Sequence, residues 1–290
     1  MGDDTSKNPA DGRSKKKDNR SISLLFFPLT AITIVQGMTL ILLTGTPSSL
    51  NVGLYEPFGS GFTASIFNSL FLLTGVVGMT MILIIFLKRK RISFLRNMLI
   101  GILSFAALIF TTFLSEALLS ELLMGYAIIP ALIMGVTVAS LGAYGAYNTR
   151  FKFTSSITSM IISSEIAVMF SLTLTFPTIL ILPLIFAIYD IYAVTRGPLK
   201  TLLAFPEARI LAPLSLKVGS VEMGIGDLVF YSLLPSAGLM ISGIEAFLIV
   251  LLGTNIGVIL TLIALKRGKA LPGLPLPMIL GLVALTPFLL

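Results

Sequence analysis

Cysteine and histidine are both absent from this 290-residue chain, and charged residues make up only 11% of it. Without cysteine there is no disulfide, no thiol nucleophile and no c-type haem attachment, and the redox compartment leaves no mark. Without histidine there is no Ser–His pair, no H-E-x-x-H zinc site and no imidazole proton shuttle. Acid–base chemistry therefore falls to carboxylates, tyrosine and lysine. A soluble domain carries about 25% charged residues, so the low charge also argues against a soluble fold.

Hydrophobic residues fill the gap, at 56% of the chain and a mean hydropathy of +1.00. This balance belongs to a polytopic membrane protein. The net charge of +7 does not point to nucleic acid, because the basic residues sit in the N-terminal tail and in short loops, where they set membrane topology. Residues 1–21 form a polar, basic tail (Lys15, Lys16, Lys17, Arg20) without apolar periodicity, expected to be disordered and placed to touch anionic lipid heads. The apolar run that follows, Ile22–Leu43, is too long for a signal-peptide core and lacks a cleavage site, so it reads as a retained first span.

Further runs of about the 20 residues needed to cross a bilayer lie at Phe62–Leu87, Asn97–Ser115, Leu122–Tyr147, Phe153–Thr175, Pro177–Thr195, Val221–Met240, Gly243–Leu265 and Leu274–Leu290. Thr175–Pro177 is the turn that divides Phe153–Thr195 in two, since proline favours the first helical position and disfavours helix just before it. The sequence thus predicts an all-α polytopic protein of nine transmembrane helices, one domain over residues 22–290. With the N-terminus cytoplasmic and the C-terminus outside, all 20 Lys and Arg residues fall on the inner side, and the outer loops hold only acids such as Glu56, Glu116, Glu121 and Glu245. Small residues in the fourth span (Gly135, Ala139, Gly142) suit close helix packing. The segment Gly197–Ser220, mixed in composition, reads as interfacial with a short amphipathic helix.

Three acids lie inside spans: Glu165, Asp190 and Asp227. A charge at the bilayer centre is unfavourable by roughly 2.5–3.5 kcal/mol or more, which makes each a functional candidate. Asp190 and Asp227 both stand six residues from the cytoplasmic ends of consecutive antiparallel spans, roughly 9 Å deep at 1.5 Å per residue. Consecutive spans usually neighbour one another, so the two carboxylates are expected to face each other. In a low-dielectric cleft such a pair cannot both ionise cheaply and holds a shared proton. One member can then accept a proton from water while the other donates to a carbonyl oxygen, with no metal or cofactor. A proton relay in a transporter or a structural polar pair fits the acids alone equally well. Glu165 sits among Ser and Thr neighbours and is expected to hydrogen-bond within the bundle.

The residues around the acids add to this. Gly224 and Gly226 remove side chains beside Asp227 and leave room for another backbone. Tyr189 places a phenol next to Asp190, and Pro183 and Pro235 kink their spans. Pro272, Gly273, Leu274, Pro275 and Pro277 are expected to lie extended at the inner mouth of the last span, a geometry tolerated at membrane depth only when buried in protein or lining a wet cavity.

Together these motifs resemble the intramembrane aspartyl proteases of the presenilin and signal-peptide-peptidase family. The matching residues are Tyr189-Asp190, Gly224-Ile225-Gly226-Asp227 and Pro272-Gly273-Leu274, in the family's order; Gly273 stands where the family has alanine. The segment between the sixth and seventh spans is short, which is similar to the compact archaeal type. The resemblance implies a multi-pass enzyme of the plasma membrane, N-terminus cytoplasmic, that cleaves single-span transmembrane substrates within their helices. It implies Asp190 and Asp227 as the catalytic dyad and Tyr189, Gly224, Gly226, Pro272, Gly273, Leu274 and Pro275 as substrate-positioning residues. It further implies no metal, no cofactor, no nucleic acid and no obligate partner subunits, with membrane lipid as the surroundings. The alternative is a proton- or cation-coupled transporter or ion-leak channel using the same carboxylates. A prepilin-peptidase type of protease would share G-x-G-D but leaves the proline segment unexplained.

Overall fold

The computed structural model describes residues 9–47, 56–120, 122–123, 126–148, 152–197, 214–218, 221–265 and 272–289, with side chains from Phe26 onward. Among these residues the protein is helical apart from one short hairpin. Its helices are α1 (Pro9–Gly45), α2 (Phe62–Lys88), α3 (Ile92–Ser120), α4 (Ile128–Tyr147), α5 (Lys152–Thr173), α6 (Phe176–Thr195), α7 (Ile225–Leu265) and α8 (Pro275–Leu285), the last followed by a 3-10 turn at Thr286–Phe288. Seven of the eight are long and apolar enough to cross a membrane, so this is a multi-pass membrane protein.

At 41 residues, α7 would measure roughly 62 Å if straight, about twice the hydrocarbon thickness. It is not straight. Ser242 (φ −137°, ψ 18°) and Gly243 (φ 76°, ψ −156°) leave helical geometry, and the positive φ of Gly243 is one that residues with a Cβ adopt only under strain. A Cβ added to Gly238 would lie 3.0 Å from the carbonyl carbon of Ala246, whereas eight residues of straight helix separate by about 12 Å. The chain therefore reverses at Ser242–Gly243, and α7 is a helical hairpin with arms 225–241 and 244–265. The sequence expected two spans here, divided at the same place.

The first arm of α7 is the axis of the bundle. Leu228 through Gly238 are all buried, in a cluster shared with Ala31, Ile32 and Val35 of α1, Ile179, Leu182 and Ala187 of α6, and Met278 and Leu285 of α8. Around it, α1 packs on α5 and α7, α2 on α6, α3 on α4, and α8 along α7. The outer helices carry exposed apolar side chains such as Phe67, Phe71, Phe105 and Leu132, as expected where lipid replaces water.

Four features depart from the sequence expectation. Residues 9–20 are the first turns of α1 rather than disordered, with Pro9 at its head, a position whose N–H needs no partner. Val221–Gly224 is not the start of a helix but strand β2, paired antiparallel with β1 (Ser215–Val218) in the register Ser215↔Gly224 to Val218↔Val221. Alternation decides it: Val221 and Met223 are buried while Glu222 is exposed and lies opposite Lys217, a period of two with a favourable cross-strand charge pair. The amphipathic helix expected in Gly197–Ser220 falls largely on residues outside those described; its described end, at Ser215–Val218, is a strand. Finally, the proline segment is not extended throughout. Leu274 is helical (φ −81°, ψ −37°) and Pro275 opens α8, because a helix's first N–H groups need no intrahelical partner and prolines there lose nothing.

Candidate active site

Asp190 stands near the C-terminal end of α6 and Asp227 at the third position of α7, directly after strand β2. Both line one cavity of about 400 Å³ between α2, α5, α6 and α7. One short segment touches both: a Cβ on Gly273 would lie 3.4 Å from the Asp227 Oδ2, and the next residue, Leu274, donates its N–H to the Asp190 Oδ2 at 3.0 Å. The sequence placed them at equal depth on neighbouring helices, and the structure brings them together.

Local structure holds each carboxylate. Gly224 precedes the first turn of α7, and a Cβ placed on it would lie 3.5 Å from the Asp227 Oδ2, so the carboxylate reaches back over the glycine as a third-position acid in a capping box does. Asp190 is held from the far end of the chain. Its Oδ2 accepts a hydrogen bond of 3.0 Å from the Leu274 N–H. The Pro272–Leu274 segment, 84 residues away in sequence, thereby lies on the acid pair.

The remaining expected residues divide into those that line the cavity and those that do not. Tyr189 lines the cavity, as does Thr80 of α2. Gly226 also lines it, and a Cβ there would meet nothing within 4 Å, so the space expected beside Asp227 exists. Leu274 is a lining residue and is buried. Pro272 and Pro275 flank it without lining the cavity, and Gly224 and Gly273 are not lining residues either. Glu165 is set apart: it is buried between helices, with one oxygen accepting a 2.7 Å hydrogen bond from Thr111 of α3 and the other without a partner among the described residues.

Two contributors were not anticipated. Tyr231 is buried and donates a 3.0 Å hydrogen bond to the Gly273 carbonyl; it lies four residues after Asp227, on the same helical face, a spacing that was there to be read. Thr80 depends on α2 packing against α6, which no local pattern encodes. The rest of the cavity is apolar, walled by Leu72, Val76, Phe170, Leu182, Phe186, Val229 and Phe230, with Phe186 and Phe230 at a ring separation of 4.7 Å. An acid pair lining an otherwise apolar cavity suits polar chemistry on a hydrophobic segment. Among the described residues, no group of three or more acidic side chains converges as a metal site would require.

Fold and site define a helical membrane protein with two half-buried carboxylates lining one cavity. Presenilin-B of Dictyostelium discoideum is 33% identical over 211 residues, covering 67% of this chain and 42% of that protein. This chain therefore spans about two fifths of the length of the relative it matches. A solved structure of a presenilin family intramembrane aspartate protease, in a C222 crystal form, superposes with a TM-score of 0.62 at 21% identity, covering 90% of this chain and 96% of that one. Its P2 form gives 0.61 at 21% identity, covering 90% and 95%. No family model matches the chain. Fold and sequence together place the chain in the presenilin family.

Proposed function

We propose that this protein is an aspartic endopeptidase of the G-x-G-D type that hydrolyses peptide bonds within the transmembrane helices of single-span substrates. The observation that carries the reading is the convergence of Asp190 and Asp227, from two different helices, on one largely apolar cavity that Leu274 also lines. A transmembrane helix hides its carbonyls in hydrogen bonds, so the substrate unwinds locally before water can attack. Gly226 leaves clearance for the unwound strand, and Pro272–Leu274 lies beside it to pair with the exposed backbone.

In the first step one carboxylate takes a proton from water as the oxygen bonds to the scissile carbonyl carbon, and the protonated partner donates to the carbonyl oxygen. The tetrahedral intermediate then collapses; the C–N bond breaks and the nitrogen leaves with a proton from the dyad. No acyl-enzyme forms. Which aspartate begins as the base belongs to the pair rather than to either residue. Tyr189, with Gly224, Gly226, Pro272, Gly273 and Pro275, positions substrate or dyad rather than reacting.

The chain crosses the plasma membrane nine times, N-terminus cytoplasmic and C-terminus outside, with residues 22–290 as one protease domain acting without metal, cofactor or obligate partner subunits. Supporting the orientation is the confinement of every basic residue to one side. The test is incubation of the purified protein with a single-span reporter, with and without a transition-state mimic of aspartic proteases. Inhibitor-sensitive cleavage by the parent protein and its loss in Asp227→Asn, at unchanged expression, are expected. Cleavage retained in Asp227→Asn overturns the assignment of the dyad. Proton flux in liposomes without any cleavage would replace the protease by the transporter.

A further inference from the structure

Pro235 lies inside the first arm of α7 and has no N–H, so the carbonyl four residues earlier, that of Tyr231, loses its intrahelical partner. That carbonyl is not left bare. Gln36 of α1 donates to it from Nε2 at 2.9 Å, and Asn255 of the second arm donates from Nδ2 to the Gln36 Oε1 at 3.1 Å. Gln36 is 0% exposed and Tyr231 4%, so these bonds form away from lipid and water, where an unmet carbonyl is unfavourable. The other end of Tyr231 grips the Gly273 carbonyl, and the next residue, Leu274, donates its N–H to Asp190. A Cβ placed on Gly273 would lie 3.4 Å from both the Tyr231 hydroxyl and the Asp227 Oδ2, so this one glycine touches both the tyrosine and the acid pair.

We propose that Tyr231 is a positioning residue that fixes the Pro272–Leu274 segment on the acid pair, and that Gln36 and Asn255 fix Tyr231 by taking the carbonyl Pro235 releases. The role presumes the protease reading only in its consequence for cleavage; the hold itself does not. Without the hydroxyl, the Gly273 carbonyl loses its partner, and the stretch between it and the head of α8 shifts relative to the dyad. The unwound substrate strand then shifts with it, and the bond presented to water changes.

The absence of cysteine gives a clean probe. A nitroxide on Leu276→Cys, at an exposed site two residues past Leu274, reports the segment's mobility in the full-length protein. Tyr231→Phe is expected to mobilise that label, to lower kcat about 10-fold with KM little changed, and to spread the cut over neighbouring peptide bonds by mass spectrometry. Gln36→Leu is expected to act in the same direction. Pro235→Ala in that background restores an N–H to the Tyr231 carbonyl and is expected to recover both label order and cut position. An unmoved label in Tyr231→Phe overturns the hold, whatever the protein does. A mobilised label with an unchanged cut pattern overturns the positioning role. If the parent protein cleaves no reporter, the protease reading fails, and the label experiment still decides the hold.

Discussion

At the scale of single residues, Gly273 shows how little room the acid pair leaves. The nearest atoms to an added Cβ are the Asp227 Oδ2 and Tyr231 hydroxyl at 3.4 Å and the Asp227 Cγ at 3.6 Å. These are ordinary contacts for one methyl group and too close for a branched side chain. Gly273→Ala is therefore expected to keep kcat/KM within about 3-fold of the parent, while Gly273→Val drives the segment off the dyad and lowers it by about 100-fold, with similar thermal stability in all three. Equal activity of the valine and alanine variants would contradict the packing. Asp190 and Asp227 were legible in the sequence because a charge in an apolar run is conspicuous and topology alone sets its depth. Tyr231 was not, since one tyrosine in Leu228–Leu234 looks like any large core residue until its hydroxyl is seen on the Gly273 carbonyl. Glu165 lay between: its burial among hydroxyl side chains was expected, its bond to Thr111 of another helix was not.

Among the elements, the contact between the second arm of α7 and α8 is the tightest to check. A Cβ on Gly257 would lie 2.4 Å from the Pro277 Cα and 2.7 Å from the Leu276 carbonyl oxygen, and one on Gly253 would lie 2.8 Å from the Leu280 carbonyl oxygen. Backbone lies against backbone, the small-residue packing typical of membrane helices. Gly257→Ala must push α8 away and is expected to destabilise the protein by about 1–3 kcal/mol, seen as a lower thermal midpoint in detergent. Gly226→Ala, where the added methyl meets nothing within 4 Å, is expected to leave that midpoint in place. A midpoint unchanged by Gly257→Ala would refute the close approach. Element boundaries were the part of the fold least open to sequence reading. Val221–Gly224 continues the hydrophobic run of α7, and only the alternation of Val221, Glu222 and Met223 betrays a strand, which needs Ser215–Val218 beside it to form. The prolines of the last segment were read as helix-breaking, yet at a helix's head they are compatible with it.

For the whole molecule, membrane topology ties the acid pair to one face. The twenty basic residues segregate to one side only if the chain turns back between Met240 and Gly243, and the structure reverses there, with Gly238 against Ala246. That reversal was legible because glycine and a short polar break interrupt an apolar run twice the length of one span. The packing order around α7, with α2 on α6 and α1 on α5, was not, since apolar faces that meet lipid and those that meet another helix share one composition. The absence of cysteine makes the orientation directly measurable by single substitutions and a membrane-impermeant maleimide applied to intact cells. Gly59→Cys, between α1 and α2, and Glu245→Cys, at the α7 reversal, are expected to react from outside. Lys90→Cys, between α2 and α3, and Arg196→Cys, exposed at the end of α6, are expected to react only once the membrane is permeabilised. If α7 crossed once as a straight rod, Glu245→Cys would sit in hydrocarbon and react under neither condition. If Gly59→Cys and Glu245→Cys were protected while Lys90→Cys reacted, the molecule would be inverted and its acid pair would open toward the outer face.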